Sequence, residues 1–368
     1  MAEYYVLYIL FGAVACLGSF FTAERDKVAR VQNIICFTAV AVLLMFRHQS
    51  MGVDLQWIAE SSTTGYLPAF DYISKQGFKG LFSNCEANHV HFEEGFVLYT
   101  KLISVISKDR QFYVGITALL CLLPIGILIG KKSREPVYSW IIFLSLSPFL
   151  LMYSSLRQSL AIGLAAIMYM LAEDKRWFLF LITGLISITF HESAVLLFII
   201  YPLVNIKIST AVRFLLIGLL VGMILLKEQV ISLILSFYPK YEYVFDIEGN
   251  GSYRFFLILL MIYILCCFST DDSRFQNAYM NLFFASIVFQ AMGIFSNIAP
   301  RAGFYFMNAL CVLLPDVIGN IRIKENALII KIVSVPCFAV WGLYCIYSTD
   351  WAKAYPYYWL WERTLWPS

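Results

Sequence analysis

The sequence predicts an all-α fold, a polytopic transmembrane helical bundle of about 12 spans. Three observations predict it. The chain has 368 residues, 60% of them apolar, with a mean hydropathy of +0.74. Only 14% are charged, against about 25% in a soluble globular chain, too few to cover a water-exposed surface. Apolar runs approaching the roughly 17–25 residues that cross a bilayer recur from one end to the other.

Taken in order, the first run, Tyr4–Thr22, lacks a basic flank and a small-residue cleavage site and reads as a retained span. A second span is expected near 31–46. "ERDKVAR" (24–30) and "KKSREP" (131–136) are short and basic, which places both in the cytoplasm. Residues 47–110 then form an extracytoplasmic loop that contains "MGVDLQW" and "HVHFEEGF". Within it, residues 93–107 show apolar positions at helical spacing but are too short to span, so an interfacial helix is expected. The next span is 111–130. Taken as one helix, 138–172 would reach roughly 50 Å against a hydrocarbon core of about 30 Å. Two crossings, 137–153 and 158–172, fit better, with a turn near Tyr153–Arg157 and Ser154 or Ser155 capping the second helix.

The stretch 177–204 holds His191 and Glu192 in its middle. It is one long tilted helix or two short crossings, 177–190 and 193–205, and the choice sets the side of everything downstream. Further spans are expected near 211–227, 253–269, 277–297, 302–319 and 328–348, with a second extracytoplasmic loop at 228–252. The basic residues there do not decide the side. Lys207, Arg213, Arg274, Arg322, Lys324 and Lys331 oppose Lys227, Lys240, Arg254, Arg301, Lys353 and Arg363. The tail "YPYYWLWERTLWPS" has the composition of an interfacial aromatic belt. No repeat or soluble segment divides the chain, so 1–368 reads as a single integral-membrane domain.

Several function classes are excluded. A net charge of +3 with no Lys/Arg run beyond two residues gives no footprint for nucleic acid. Eight of nine cysteines lie in apolar stretches and act as small hydrophobes, and only Cys85 sits in a polar segment. No Cys/His spacing suggests a metal, and no cofactor is expected. A Gly-rich phosphate loop, HExxH and GxSxG are all missing.

Five polar features interrupt this apolar chain. They are Arg47 with Asp54, Glu93 with Glu94, Arg157 with Gln158, His191 with Glu192, and Arg301 after Pro300. Each has a bland explanation. Arginines snorkel at span ends, acids favour helix N-termini, and an intramembrane histidine can link two helices. Arg157 fits such an explanation least, because it sits beside Gln158 in a turn between two closely spaced apolar helices. Together they say more, because three arginines can face one side of the membrane with carboxylates and a histidine. Guanidinium forks bind phosphate oxygens bidentately and never lose their charge.

At these residues the chain resembles the EpsG/Wzy-type polysaccharide polymerases. The resemblance rests on "RHQSMGVDLQW" (47–57), "EEGF" (93–96), "SLRQSLA" (155–161), "HESA" (191–194) and a late Arg301 followed by Tyr305. It departs from the family pattern at Trp57, where a tyrosine is expected, and at Glu94, where a proline is expected.

The resemblance implies a multi-pass glycosyltransferase of the bacterial inner (cytoplasmic) membrane, acting in O-antigen or exopolysaccharide assembly with its active site facing the periplasm. Donor and acceptor would be undecaprenyl-diphosphate-linked oligosaccharides, and partners would include membrane lipid and a chain-length regulator protein. Arg157, Arg301, Arg47 and Gln158 would hold the diphosphate. His191, Glu93 and Asp54 are the catalytic candidates. The alternative is a flippase for the same lipid-linked oligosaccharide, which would also need arginines on the diphosphate. Requiring Arg301 to join Arg157 on one face favours two crossings between 177 and 205, on functional grounds alone.

Overall fold

The computed structural model describes residues 1–20, 24–56, 65–229, 232, 253–269, 273–295, 299–350 and 352–362. The described residues are helical and contain no strand, only an isolated bridge between Arg47 and Trp359. The helices are α1 Ala2–Ser19, α2 Arg25–Met45, α3 Val53–Gln56, α4 Tyr66–Lys75, α5 Leu81–Ala87, α6 Glu94–Ile106, α7 Arg110–Lys132, α8 Pro136–Leu144, α9 Ser147–Ser154, α10 Leu156–Glu173 and α11 Trp177–Phe190. A 3-10 helix, Glu192–Ile199, leads into α12 Ile200–Asn205. There follow α13 Thr210–Leu225, α14 Tyr253–Ser269, α15 Arg274–Ala291, α16 Ala299–Met307, α17 Leu310–Gly319 and α18 Lys324–Ser348.

The expected count of about twelve spans is not confirmed. Among the described residues, five helices are long and apolar enough to cross a membrane, or up to seven if two bent pairs each count as one. The pair α8–α9 bends by 60°. Pro148 in the first turn of α9 has no N–H to donate back into α8, so the helix cannot run through. The pair α16–α17 bends by 49°. The stretches 177–190 and 193–205 fall short for a different reason. The 14 residues of α11 reach only about 21 Å.

The stretch from Trp177 to Asn205 is a hairpin. Phe180, early in α11, meets Tyr201 in α12 with ring centroids 5.3 Å apart. His191 is the extended residue at the tip, between α11 and the 3-10 helix. Of the two options open in the sequence, the chain adopts the one that folds back.

One end of the bundle gathers basic side chains and their partners. Lys132 pairs with Glu173 at 2.9 Å and Arg134 with Asp316 at 2.7 Å. Lys331 pairs with Glu135, and Arg274 donates to the Glu173 carbonyl at 2.8 Å. The two segments expected on one side, 131–136 and 173–176, therefore do meet. From Glu173, α10 runs back about 27 Å to the opposite end, where it begins beside Arg157. The turn between α9 and α10 lies at Ser155, as expected. Ser155 does not cap α10 with its side chain, because its hydroxyl donates to Asp54 instead, at 3.0 Å.

The described part of the segment 47–110 holds the four helices α3 to α6. The α4 helix buries Tyr66, Leu67, Ala69, Phe70 and Ile73. Its last carbonyls accept from the buried ammonium of Lys101 on α6, a cap on the negative helix end. Asp71 pairs with Arg110 at the start of α7. The expected helix over 93–107 is present as α6, with Leu98, Leu102, Val105 and Ile106 exposed on its outer face. Cys85, the one cysteine in a polar segment, is buried here, packed with Ile73, Leu81 and Val97. The expected second loop, 228–252, lies outside the described residues except at 228, 229 and 232.

Candidate active site

At the end opposite the basic cluster, α5, α6, α10, α16 and the tip of the hairpin line an open cavity of about 830 Å³. Its lining includes Glu93, Glu94, Arg157, Gln158, His191, Glu192, Ser193 and Arg301. Backbone contacts bring them together. Gly95 lies against the end of α11, so close that a Cβ there would sit 2.8 Å from the Thr189 carbonyl oxygen. Any larger residue would push α6 away from the hairpin, and with it Glu93 from His191.

Glu93, at the head of α6, holds two neighbours with one carboxylate. Its Oε2 accepts from Arg157 Nη1 at 2.5 Å. Its Oε1 faces His191 Nδ1 at 3.1 Å and accepts from the Glu192 backbone N–H at 3.2 Å. Burial alone would raise the pKa of Glu93. The His191 hydrogen bond and the Arg157 charge outweigh that and hold it at about 2. Glu93 is thus ionised and can only accept. Neutral His191 must then donate from Nδ1, which leaves its lone pair on Nε2.

Arg157 is held on further sides. Phe92 offers its ring face 4.8 Å from the guanidinium carbon, and the Tyr66 hydroxyl accepts from Nε at 3.4 Å. Tyr66 stacks on Phe92 in turn, with centroids 5.3 Å apart. Tyr66 escaped notice in the sequence because it falls in no motif. Phe92 could have been found from its place beside Glu93. Arg301 lines the cavity exposed, and its guanidinium has no partner among the described residues. Gln158 is buried and donates to the Arg301 carbonyl at 2.9 Å. Ser193 and Tyr305 share a hydrogen bond of 2.8 Å.

Asp54 and Arg47 are not in the cavity lining. Asp54 reaches the site through Ser155, two residues before Arg157. Arg47 is fully buried behind the same turn. It donates to the Met152 carbonyl at 2.8 Å and lies 4.8 Å from the Tyr153 ring centroid. Gly52 is where the "MGVD" segment touches this turn. Its φ is +104°, and a Cβ would overlap the Tyr153 carbonyl oxygen at 1.8 Å. Among the described residues no group of three or more His, Cys, Asp or Glu is arranged to hold a metal.

A family model described as the EpsG family matches residues 30–359. The chain belongs to the EpsG family. This is the family of Wzy-type polysaccharide polymerases, and the chain is a membrane protein of that kind. No curated protein and no solved structure matches it. The segments on which the sequence resemblance rests are the ones whose residues meet at this end of the EpsG-family chain: Asp54 with Ser155, Glu93 with Arg157 and His191, Gln158 with Arg301, and Ser193 with Tyr305.

Proposed function

We propose that this EpsG-family chain polymerises undecaprenyl-diphosphate-linked oligosaccharide repeat units into O-antigen or exopolysaccharide at the periplasmic face of the bacterial inner membrane. The observation that carries the proposal is the single Glu93 carboxylate joined to both Arg157 and His191 at a cavity wall. The distribution of charge supports this side of the membrane. The basic cluster around Lys132, Arg134 and Arg274 occupies the other end, and cytoplasmic loops collect Lys and Arg. The family match supports the polymerase and lends nothing to the flippase alternative.

His191 Nε2 takes the proton of the acceptor hydroxyl, whose oxygen forms the new bond to the donor's anomeric carbon. The bond from that carbon to the diphosphate oxygen breaks, and undecaprenyl diphosphate leaves with the electron pair. Arg157 and Arg301 meet the charge that develops there, and they need no proton transfer to do so. Glu93, acidified to about 2, is too weak a base at neutral pH; its part is to fix the His191 tautomer and the Arg157 fork. Gln158 sets the Arg301 backbone, while Asp54 and Arg47 position the turn that carries Arg157.

Full-length protein in proteoliposomes, given lipid-linked repeat units, should yield longer lipid-linked glycans and free undecaprenyl diphosphate. A deletion strain should still display single repeat units on its surface. Movement of repeat units between leaflets with no lengthening would overturn the proposal in favour of the flippase.

A further inference from the structure

A second cavity, of about 330 Å³, opens on the flank of the bundle between the hairpin, α13, α14 and α15. Its lining is apolar except for Tyr263 and Asn281, and includes Ile199, Phe284, Ala285, Val288 and Phe289. Asn281 and Phe289 lie about 10 and 22 Å along α15 from Arg274 in the basic cluster. The groove therefore sits within the depth of the hydrocarbon core. Its floor is fixed by Asn281, whose side-chain amide donates to the Leu203 and Ile206 carbonyls at 2.9 and 2.8 Å.

Two elements connect this groove to the active-site cavity. A 3-10 helix repeats about every three residues, so Ser193, Leu196 and Ile199 stand on one face. Ser193 lines the active-site cavity and Ile199 the groove, about 12 Å further along. None of the three is buried. On the other side, Phe289 in the groove stacks on Phe306 of α16 with ring centroids 5.8 Å apart, and the same helix carries Arg301 and Ala302 into the active-site cavity. A path of apolar and aromatic side chains thus descends from the guanidiniums into the bilayer.

We infer that the groove is a tail subsite, holding the isoprenoid chain of a lipid whose diphosphate sits at Arg157 and Arg301. The inference rests on the polymerase reading and adds a place for the hydrocarbon half of the substrate. Binding the diphosphate delivers the chain to the head of the path. The groove then gains it as a tethered group, an advantage that a free phospholipid chain lacks. Burial of the chain against these walls raises affinity in proportion to the apolar area covered.

The test compares undecaprenyl diphosphate with geranyl diphosphate, whose chain is too short to fill the groove, on the full-length protein in detergent micelles. The long chain should bind about tenfold more tightly or better. Two variants fill the groove from different walls, Ala285→Trp on α15 and Ile199→Trp on the exposed rim. In each, the gap should close to within about twofold through loss of undecaprenyl diphosphate affinity. Equal affinities in the unaltered protein, or a gap untouched by both variants, would overturn the tail subsite. So would loss of both probes in both variants, because the groove residues would then shape the diphosphate site itself. If added phosphatidylglycerol abolishes the gap, the groove belongs to ordinary phospholipid and the assignment falls. Arg157→Ala separates the two readings. It should weaken both probes alike; if it weakens neither, the diphosphate assignment falls while the chain-length gap remains readable.

Discussion

Glu93 makes two demands on one carboxylate, and both fail if its charge is removed. In Glu93→Gln the amide accepts from only one of the two partners and leaves Arg157 without its counter-charge. Loss of a hydrogen bond to a charged group costs about 1.5–3 kcal/mol. We expect chain growth to collapse in this variant, with a melting temperature measurably below that of the unaltered protein. The pH dependence has a definite sign. The carboxylate ordinarily titrates near 4.5 and here near 2, so its folded form is favoured when ionised. That contribution is fully present above pH 4.5 and is lost as pH falls towards 2. The melting difference between unaltered protein and Glu93→Gln should therefore be constant from pH 7 to 5 and shrink below that; a difference that grows on acidification would contradict the assignment. Arg157→Lys should fail almost as badly as Arg157→Ala. A lysine keeps the charge but cannot serve Glu93, Tyr66, the Phe92 ring and a phosphate with one planar fork. Near-normal polymer length with lysine would reduce the clamp to simple electrostatics.

Among the elements, the junction of α6 with the hairpin tip decides whether a site exists. Gly95→Ala puts a methyl group against the Thr189 backbone, and overpacking of this kind costs about 1–3 kcal/mol. We expect lowered activity with normal membrane insertion, since the change moves Glu93 relative to His191 and leaves the spans untouched. Unchanged activity would mean that the contact is not needed. The motif residues were legible in the sequence because charge is costly in an apolar chain, so Arg157 and His191 stood out against their surroundings. The hairpin was legible only as one of two options, since an apolar run interrupted by His-Glu fits either a tilted helix or a turn. The span count was not legible. Apolar runs do not reveal that α8 and α9 meet at 60° or that α11 is too short to cross alone. The partners Tyr66 and Phe92 reach Arg157 through the fold of 47–110, which no local pattern encodes. Ser155 looked like a helix cap, and its tertiary partner Asp54 is 101 residues away.

Over the whole molecule, polar chemistry is divided between two ends about one bilayer core apart. Cysteines placed at 157 and 301 should react with an impermeant maleimide from the periplasmic side, and cysteines at 134 and 274 should be protected. The reverse pattern would invert the chain and move the reaction to the cytoplasmic face. The aromatic tail, as far as Glu362, also belongs to the cavity end; 363–368 lie outside the described residues. The Tyr357 hydroxyl donates to the Leu43 carbonyl at 2.7 Å, and the Leu360 N–H to the Phe46 carbonyl at 2.9 Å, which closes the bundle behind the buried Arg47. This architecture places one imidazole, oriented by Glu93, at a cavity that arginines also line. The most direct measurement of its role is chain growth by purified His191→Gln in proteoliposomes supplied with lipid-linked repeat units. Glutamine can keep a hydrogen bond to Glu93 but cannot take a proton, so we expect a folded protein that still binds the lipid-linked donor and makes no polymer. Polymer of normal length from that variant would remove His191 as the base.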